Sequence, residues 1–166
     1  MTPNFPILGA AALIPIFLGA IWYNPKVFGN AWMKAADMTE EKIQNANMAV
    51  IFGLTLFFSI LLSLAIYFMV IHQSHLYSIV MGDPALEDST SQLSLMLKNF
   101  MEQYGQNYRT FKHGAFHGFF GGLTVATPVL SVNALFERKG AKYITINCAY
   151  WAISMMLMGG VICAWA

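Results

Sequence analysis

Four histidines are the residues of this chain best suited to chemistry. His72 and His75 stand three positions apart, and His113 and His117 stand four apart. On a helix either spacing sets two imidazoles on one face, as zinc or copper requires of its nitrogen ligands. The segment between Leu76 and Lys112 joins the two helix ends that carry these pairs, so all four rings are expected toward one side of the molecule. Glu102 is the one carboxylate considered as a fifth ligand. The competing reading is plainer, since histidine pairs at helix ends are also ordinary interfacial residues.

Other signs of chemistry are sparse. No Gly-rich phosphate loop, nucleophile elbow or His-Glu-x-x-His run is present, so enzymatic activity has no positive support and no cofactor is expected. The 11 methionines, Met155, Met156 and Met158 among them, read as adaptable packing rather than copper ligands. Cys148 and Cys163 lie 15 residues apart in one apolar run. On a single helix that separation is about 22 Å, too far for a disulfide. With a net charge of +1 and no basic block, nucleic acid is not an expected partner.

The elements that must position these residues are four long apolar runs. Hydrophobic residues make up 57% of the 166 and charged residues 10%, against about 25% charged in an average globular protein. A water-soluble domain of this length could not bury the runs, and each is long enough to cross a bilayer. The predicted fold is an all-α integral membrane protein in one domain, a bundle of four transmembrane helices at about 5–23, 48–71, 113–136 and 143–165. The first run lacks the basic start and small-residue cleavage pattern of a signal peptide and is expected to be retained. Inside the runs there is no Asp, Glu, Lys or Arg, which argues against a proton- or cation-coupled carrier. No internal repeat suggests an inverted-repeat transporter.

Between the runs, residues 28–37 are expected to form a short interfacial helix, and Trp22 and Tyr23 an aromatic belt. Thr39, followed by Glu40 and Glu41, is expected to open the second long helix, which could continue past His72 as far as Gly82. Ser89 and Gln92 have capping-box spacing. The repeat of Leu93, Met96, Leu97, Phe100, Met101 and Tyr104 predicts an amphipathic surface helix at about 90–104, with its apolar face on the bilayer or on the tops of the other helices. Pro15 and Pro128 are expected to kink the first and third helices. Lys26, Lys34, Lys42, Arg138, Lys139 and Lys142 fall on one side, against Lys98, Arg109 and Lys112 on the other. This distribution predicts both termini and the second loop outside the cytoplasm.

Small and polar residues give the packing code. Gly114, Gly118, Gly122 and Ala126 recur every four residues, a ridge that lets two helix backbones approach closely, either within the bundle or in a dimer. Cys148, Ala152, Met156, Gly160 and Ala164 form a plausible complementary seam. Thr55, Ser59 and Ser63 make a second narrow stripe suited to a neighbouring helix. Asn133 and Asn147 are expected to hydrogen-bond across helices rather than line a pore.

Several of these segments carry a family resemblance. Trp22-Tyr23-x-Pro25-x-x-Phe28-Gly29-x-x-Trp32-Met33, then His113-Gly114 and His117-Gly118, Asn133-Ala134-Leu135-Phe136-Glu137, and Asn147-x-x-Tyr150-Trp151 with Gly159 are similar to segments of the family called domain of unknown function 1761. These are small membrane proteins mainly from bacteria. The resemblance covers most of the chain outside the second loop and implies a four-span fold in a bacterial inner membrane. It brings no activity, substrate or catalytic residue. Residues 74–108 are longer than in compact members.

Two functional expectations follow. One is a non-enzymatic bundle that works by packing in membrane lipid, as a homo-oligomer or as an accessory subunit of a larger membrane complex. The other is a small channel, transporter or metal-handling protein using His72, His75, His113 and His117.

Overall fold

The computed structural model describes residues 3–166. Helices α1 (Phe5–Ala12) and α2 (Ile14–Trp22) form the first apolar run, followed by α3 (Gly29–Ala36) and α4 (Glu40–Gln44). Next come α5 (Met48–Val70), α6 (Gln73–Ile79), a 3-10 turn (Pro84–Leu86) and α7 (Gln92–Tyr104). Helix α8 (Phe111–Gly121), a π-helical segment (Gly122–Ala126) and α9 (Thr127–Phe136) run on into one another, and α10 (Ala141–Trp165) closes the chain. No strand occurs among the described residues. Four helical stretches are long and apolar enough to cross a membrane: Phe5–Trp22, Met48–Val70, Phe111–Phe136 and Ala141–Trp165.

The fourth of these is the axis. It is 61% buried across its most apolar window, against 22%, 17% and 17% for the first three, so the others are arranged around it. Helix α8 lies along α10, α5 touches α10, α1 and α8, and α1 and α2 complete the ring. The core joins Leu8 and Ala11 of α1, Ile66, Tyr67 and Val70 of α5, Ile71 just beyond it, and Met155, Met158, Ile162 and Cys163 of α10. Ser59 and Ser63 are buried on the inner face of α5, while Phe57 and Phe58 beside them are more than half exposed. The outer faces of α2 and of the α8–α9 run are likewise apolar and bare, with Phe17, Phe116, Phe120 and Val129 exposed.

Glycine sets how close α8 and α10 come. A Cβ on Gly114 would collide with the carbonyl oxygen of Gly159, one on Gly118 with that of Met155, and one on Gly122 would stand 2.6 Å from the Cα of Ala152. The ridge therefore packs inside the chain, and its partners are Ala152, Met155, Gly159 and Cys163. Of the expected seam, Ala152 and the backbone of Met156 do meet the ridge, whereas Gly159 and Cys163 take the places expected of Gly160 and Ala164. A strict four-residue step drifts around a helix of 3.6 residues per turn, so the contact mixes three- and four-residue steps. Gly160 instead lies against the ring of Phe111. Ala126, at the end of the π-helical segment, packs at the edge of the core.

Other boundaries differ from the sequence reading for local reasons. The first run breaks at Leu13, two residues before Pro15, because proline cannot donate to the preceding turn. Thr39 does cap a helix, accepting from the Lys42 N–H at 3.3 Å. That helix stops at Gln44, and Asn47 caps α5 anew by accepting from Val50 N–H at 3.2 Å. Helix α5 ends at Val70 rather than running past His72, with α6 beginning at Gln73. The cap of α7 is Ser91, which accepts from Ser94 N–H at 3.1 Å, so the Ser89–Gln92 capping box does not form. Around Pro128 the third run widens into the π-helical segment, where the Thr127 hydroxyl donates to Gly122 O at 3.0 Å. The wider turn makes room for the proline ring. Helix α7 packs mainly on the 3-10 turn and not on the bundle, leaving Met96 and Phe100 exposed.

Gly118→Ala is expected to destabilise the fold by about 1–3 kcal/mol, the range for overpacking, because the obstacle is backbone. Gly53→Ala on the open face of α5, where nothing lies within 4 Å of a new Cβ, is expected to be neutral or stabilising. Thermal unfolding of the two variants in detergent checks the contrast.

Candidate metal centre

Three of the four histidines meet. His72 occupies the junction between α5 and α6, while His113 and His117 project from the first two turns of α8. One ligand nitrogen from each lies within 4.8 Å of the other two, and Nε2 of His72 is 3.0 Å from Nε2 of His113. The ring centroids are 5.1 Å apart for His72 and His113, 4.8 Å for His72 and His117, and 4.4 Å for His113 and His117. His75 is not a member, which corrects the four-histidine expectation. His72 caps α6 and His75 lies in its first turn, its N–H donating to His72 O at 3.1 Å, but the His75 ring does not join the converging ligand nitrogens. Glu102 is also absent from the group. It sits on α7, 4.0 Å from Lys98 in an exposed i,i+4 pair, worth little in water.

The neighbouring backbone holds the three rings in place. Thr110 caps α8, accepting from the His113 N–H at 3.2 Å. Arg109 donates through Nε to Cys163 O at 3.0 Å and through its terminal nitrogen to Ala166 O, tying the start of α8 to the end of α10. On the α5 side, Val70 and Ile71 are buried, and the Gln73 amide donates to Asn107 O at 2.9 Å. Tyr108 holds a left-handed φ of 63°, uncommon for a bulky residue, and its ring lies 5.1 Å from that of His113. A cavity of about 380 Å³ opens beside His72, lined also by Leu76, Phe100, Tyr104 and Tyr108.

This geometry suits a transition-metal ion. Metal–nitrogen bonds of about 2.0–2.1 Å at tetrahedral angles put ligand nitrogens about 3.3 Å apart. One separation already stands at 3.0 Å, and turning imidazole rings about their broad χ2 wells can narrow the widest. Three neutral nitrogens suit zinc, copper, nickel or iron and not magnesium or calcium. Such a trio leaves a tetrahedral ion one position for water or another small ligand. Without metal, one ring of the 3.0 Å pair must donate and the other accept, so both cannot be protonated. Partial burial, then the neighbouring His117, His113 and His75 rings, lower the His72 pKa below the ordinary imidazole value of 6.5.

The opposite end of the bundle is an aromatic clamp. Trp22 Nε1 donates to Ile146 O at 3.2 Å, and the Tyr23 hydroxyl donates to Asn147 Oδ1 at 2.9 Å. Asn147 in turn donates to Tyr143 O at 2.8 Å. The Tyr150 hydroxyl reaches Pro15 O at 2.7 Å, passing over Gly19, where a Cβ would stand 3.3 Å away. Trp22 and Tyr23 thus turn toward α10 and fasten α2 to it rather than forming an outward belt. Asn147 bonds across helices, whereas the Asn133 side chain is exposed and makes no cross-helix bond among the described residues. Cys148 and Cys163 are free and buried. The tyrosine and asparagine partners had no signal beyond their residue types, because pairing across 124 positions depends on how two helices are rotated.

Three long apolar helical stretches grouped about a fourth place the chain among small all-helical proteins whose long helices suit a membrane. The chain belongs to the family described as a protein of unknown function, DUF1761, whose family model matches residues 7–163. No curated protein and no solved structure matches it.

A pH titration of the imidazole C–H signals by NMR in metal-free detergent is expected to show His72 with its midpoint below 6.5. The folded state then resists the proton that the unfolded chain accepts. This histidine's contribution to stability is full above pH 6.5 and declines as pH falls from there through its lowered folded value.

Proposed function

We propose that this protein is an integral membrane protein that binds one transition-metal ion through His72, His113 and His117 at one membrane face. The observation that carries the reading is the convergence of the three ligand nitrogens within 4.8 Å of one another, from two helices far apart in sequence. Membrane embedding is supported by the apolar outer faces, where Phe17, Phe58 and Phe120 are each more than half exposed. A contiguous apolar surface beyond a few hundred Å² is rare on soluble monomers. The glycine ridge that suggested self-association is occupied by α10 of the same chain, which leaves the histidines as the better supported basis for a role.

The face that carries the metal lies outside the cytoplasm in this proposal, with the basic residues of the first and third loops inside. That assignment rests on the lysine and arginine distribution and draws support from Lys139, which donates to Ala36 O at 2.9 Å and pairs with Asp37 at 3.2 Å. Those contacts join the first and third loops on one side. Helix α7 then lies at the outer surface, with Met96 and Phe100 toward lipid headgroups.

Purified protein stripped of metal is expected to take up one Zn(II) or Cu(II) per chain in competition with a chromophoric chelator, and no Mg(II). His113→Ala and His117→Ala are each expected to weaken binding by more than about 100-fold, beyond the 10–100-fold cost of outer-shell changes, while His75→Ala leaves it intact. Binding weakens as pH falls below 6.5, because only the neutral ring is a ligand. Equal metal uptake by the wild type and the two alanine variants would overturn the assignment. For the topology, alkaline phosphatase fused within the loop near Glu87 is expected to be active and a fusion near Lys139 inactive. The reverse pattern inverts the orientation, and two active fusions at full yield without membranes would sink the embedded reading.

A further inference from the structure

A second cavity lies at the far end of the α8–α9 run, about 30 Å along the helix axis from His113 at 1.5 Å per residue. Its volume is about 270 Å³, and it is bounded by one stripe of α9 and one of α10. Leu130, Asn133, Ala134 and Glu137 face Tyr143, Ile144, Asn147 and Trp151 across it. The spacing on α9 is i, i+3, i+4 and i+7, a single helical face, so Asn133 and Glu137 stand one turn apart on the same wall.

The polar groups of this wall are unequally committed. Asn147 is already engaged, accepting from Tyr23 and donating to Tyr143 O. Asn133 and Glu137 have no side-chain hydrogen bond and no ion pair among the described residues, and neither have the Tyr143 hydroxyl and the Trp151 indole N–H. Glu137 is the only ionisable carboxylate lining the space. Lys139, two residues further along, is engaged by Ala36 O and Asp37 and stands 5.9 Å over the Tyr143 ring, showing that this ring already accepts a cation on one face. The dipole of the α9 C-terminus favours positive charge, and that of the α10 N-terminus offsets it; Glu137 puts a negative charge on the wall itself, whereas Arg138 and Lys142 of the connecting loop do not line the space.

We propose that this cavity is a binding site for a primary ammonium group, with Glu137 as its counter-charge, Asn133 Oδ1 as a second acceptor and the rings of Tyr143 and Trp151 as its apolar walls. A primary ammonium has three donors and no acceptor. It can therefore satisfy a carboxylate and an amide oxygen together, which a quaternary ammonium cannot. The group comes either from a free amine or from the headgroup of an aminophospholipid, since the site sits at the level where the long helices end. The proposal stands apart from the histidine centre, and neither depends on the other.

The full chain, purified in detergent and freed of lipid, is titrated by calorimetry with ethanolamine, with short-chain phosphatidylethanolamine and with short-chain phosphatidylglycerol. Saturable binding of ethanolamine identifies a free amine as sufficient, and binding of phosphatidylethanolamine alone identifies the lipid. In either case Glu137→Gln is expected to weaken binding by about tenfold or more, the scale of a lost charge-assisted hydrogen bond. Asn133→Leu, which fills the cavity without changing charge, is expected to abolish it and serves should the first variant misfold. Phosphatidylglycerol binding as tightly as phosphatidylethanolamine, no saturable binding of any of the three, or undiminished binding in both variants overturns the proposal.

Discussion

The contact between α8 and α10 is the constraint on which the remainder of the molecule rests. Backbone meets backbone at Gly114, Gly118 and Gly122, where any side chain would strike a carbonyl or a Cα of the partner. What holds such a seam is close dispersion contact and weak Cα–H···O attraction, and neither tolerates even one added methyl group. Because α10 is the central helix, the position of α8 against it also sets where His113 and His117 stand relative to the end of α5. The histidine trio is thus a by-product of helix spacing as much as of histidine placement.

The larger polar and ionisable side chains gather toward the two ends, because unsatisfied polar groups are costly in an apolar interior. The small hydroxyls of Ser59, Ser63 and Ser154 are buried nearer the middle. At one end three imidazoles meet. At the other, Trp22, Tyr23, Asn147 and Tyr150 satisfy one another and the backbone of neighbouring helices. That second cluster also leaves a small polar space between α9 and α10, bordered by a carboxylate with no partner among the described residues. One end resembles an ion site and the other a site for an organic cation, separated by the length of the bundle.

Much of this was legible in the chain. Four apolar runs, the amphipathic repeat of α7 and the family segments could be read directly, because hydropathy and periodicity are local properties. The helix breaks at Leu13, Asn47 and Ile71 were harder. At Asn47 the side chain competes for the backbone N–H that a continuous helix would use, and Ile71 carries no breaker residue at all. Excluding His75 depends on how the start of α6 is turned toward α8 in the folded chain, so the histidine set is readable from sequence only as four candidates. The partner seam of the glycine ridge is displaced by one residue at Gly160 and Ala164, since a four-residue rule ignores the drift of a real helix.

Composition and pattern alone therefore decided that the chain is helical and apolar, where its long helices run and which face of α8 is thin, because each depends on residues within a few turns. Only the folded arrangement decided which three histidines meet, that Tyr23 and Tyr150 turn inward, and that Glu137 borders a cavity. Those outcomes depend on the rotation and spacing of helices separated by as many as 135 positions. No local signal carries such quantities, for they follow from how whole surfaces fit.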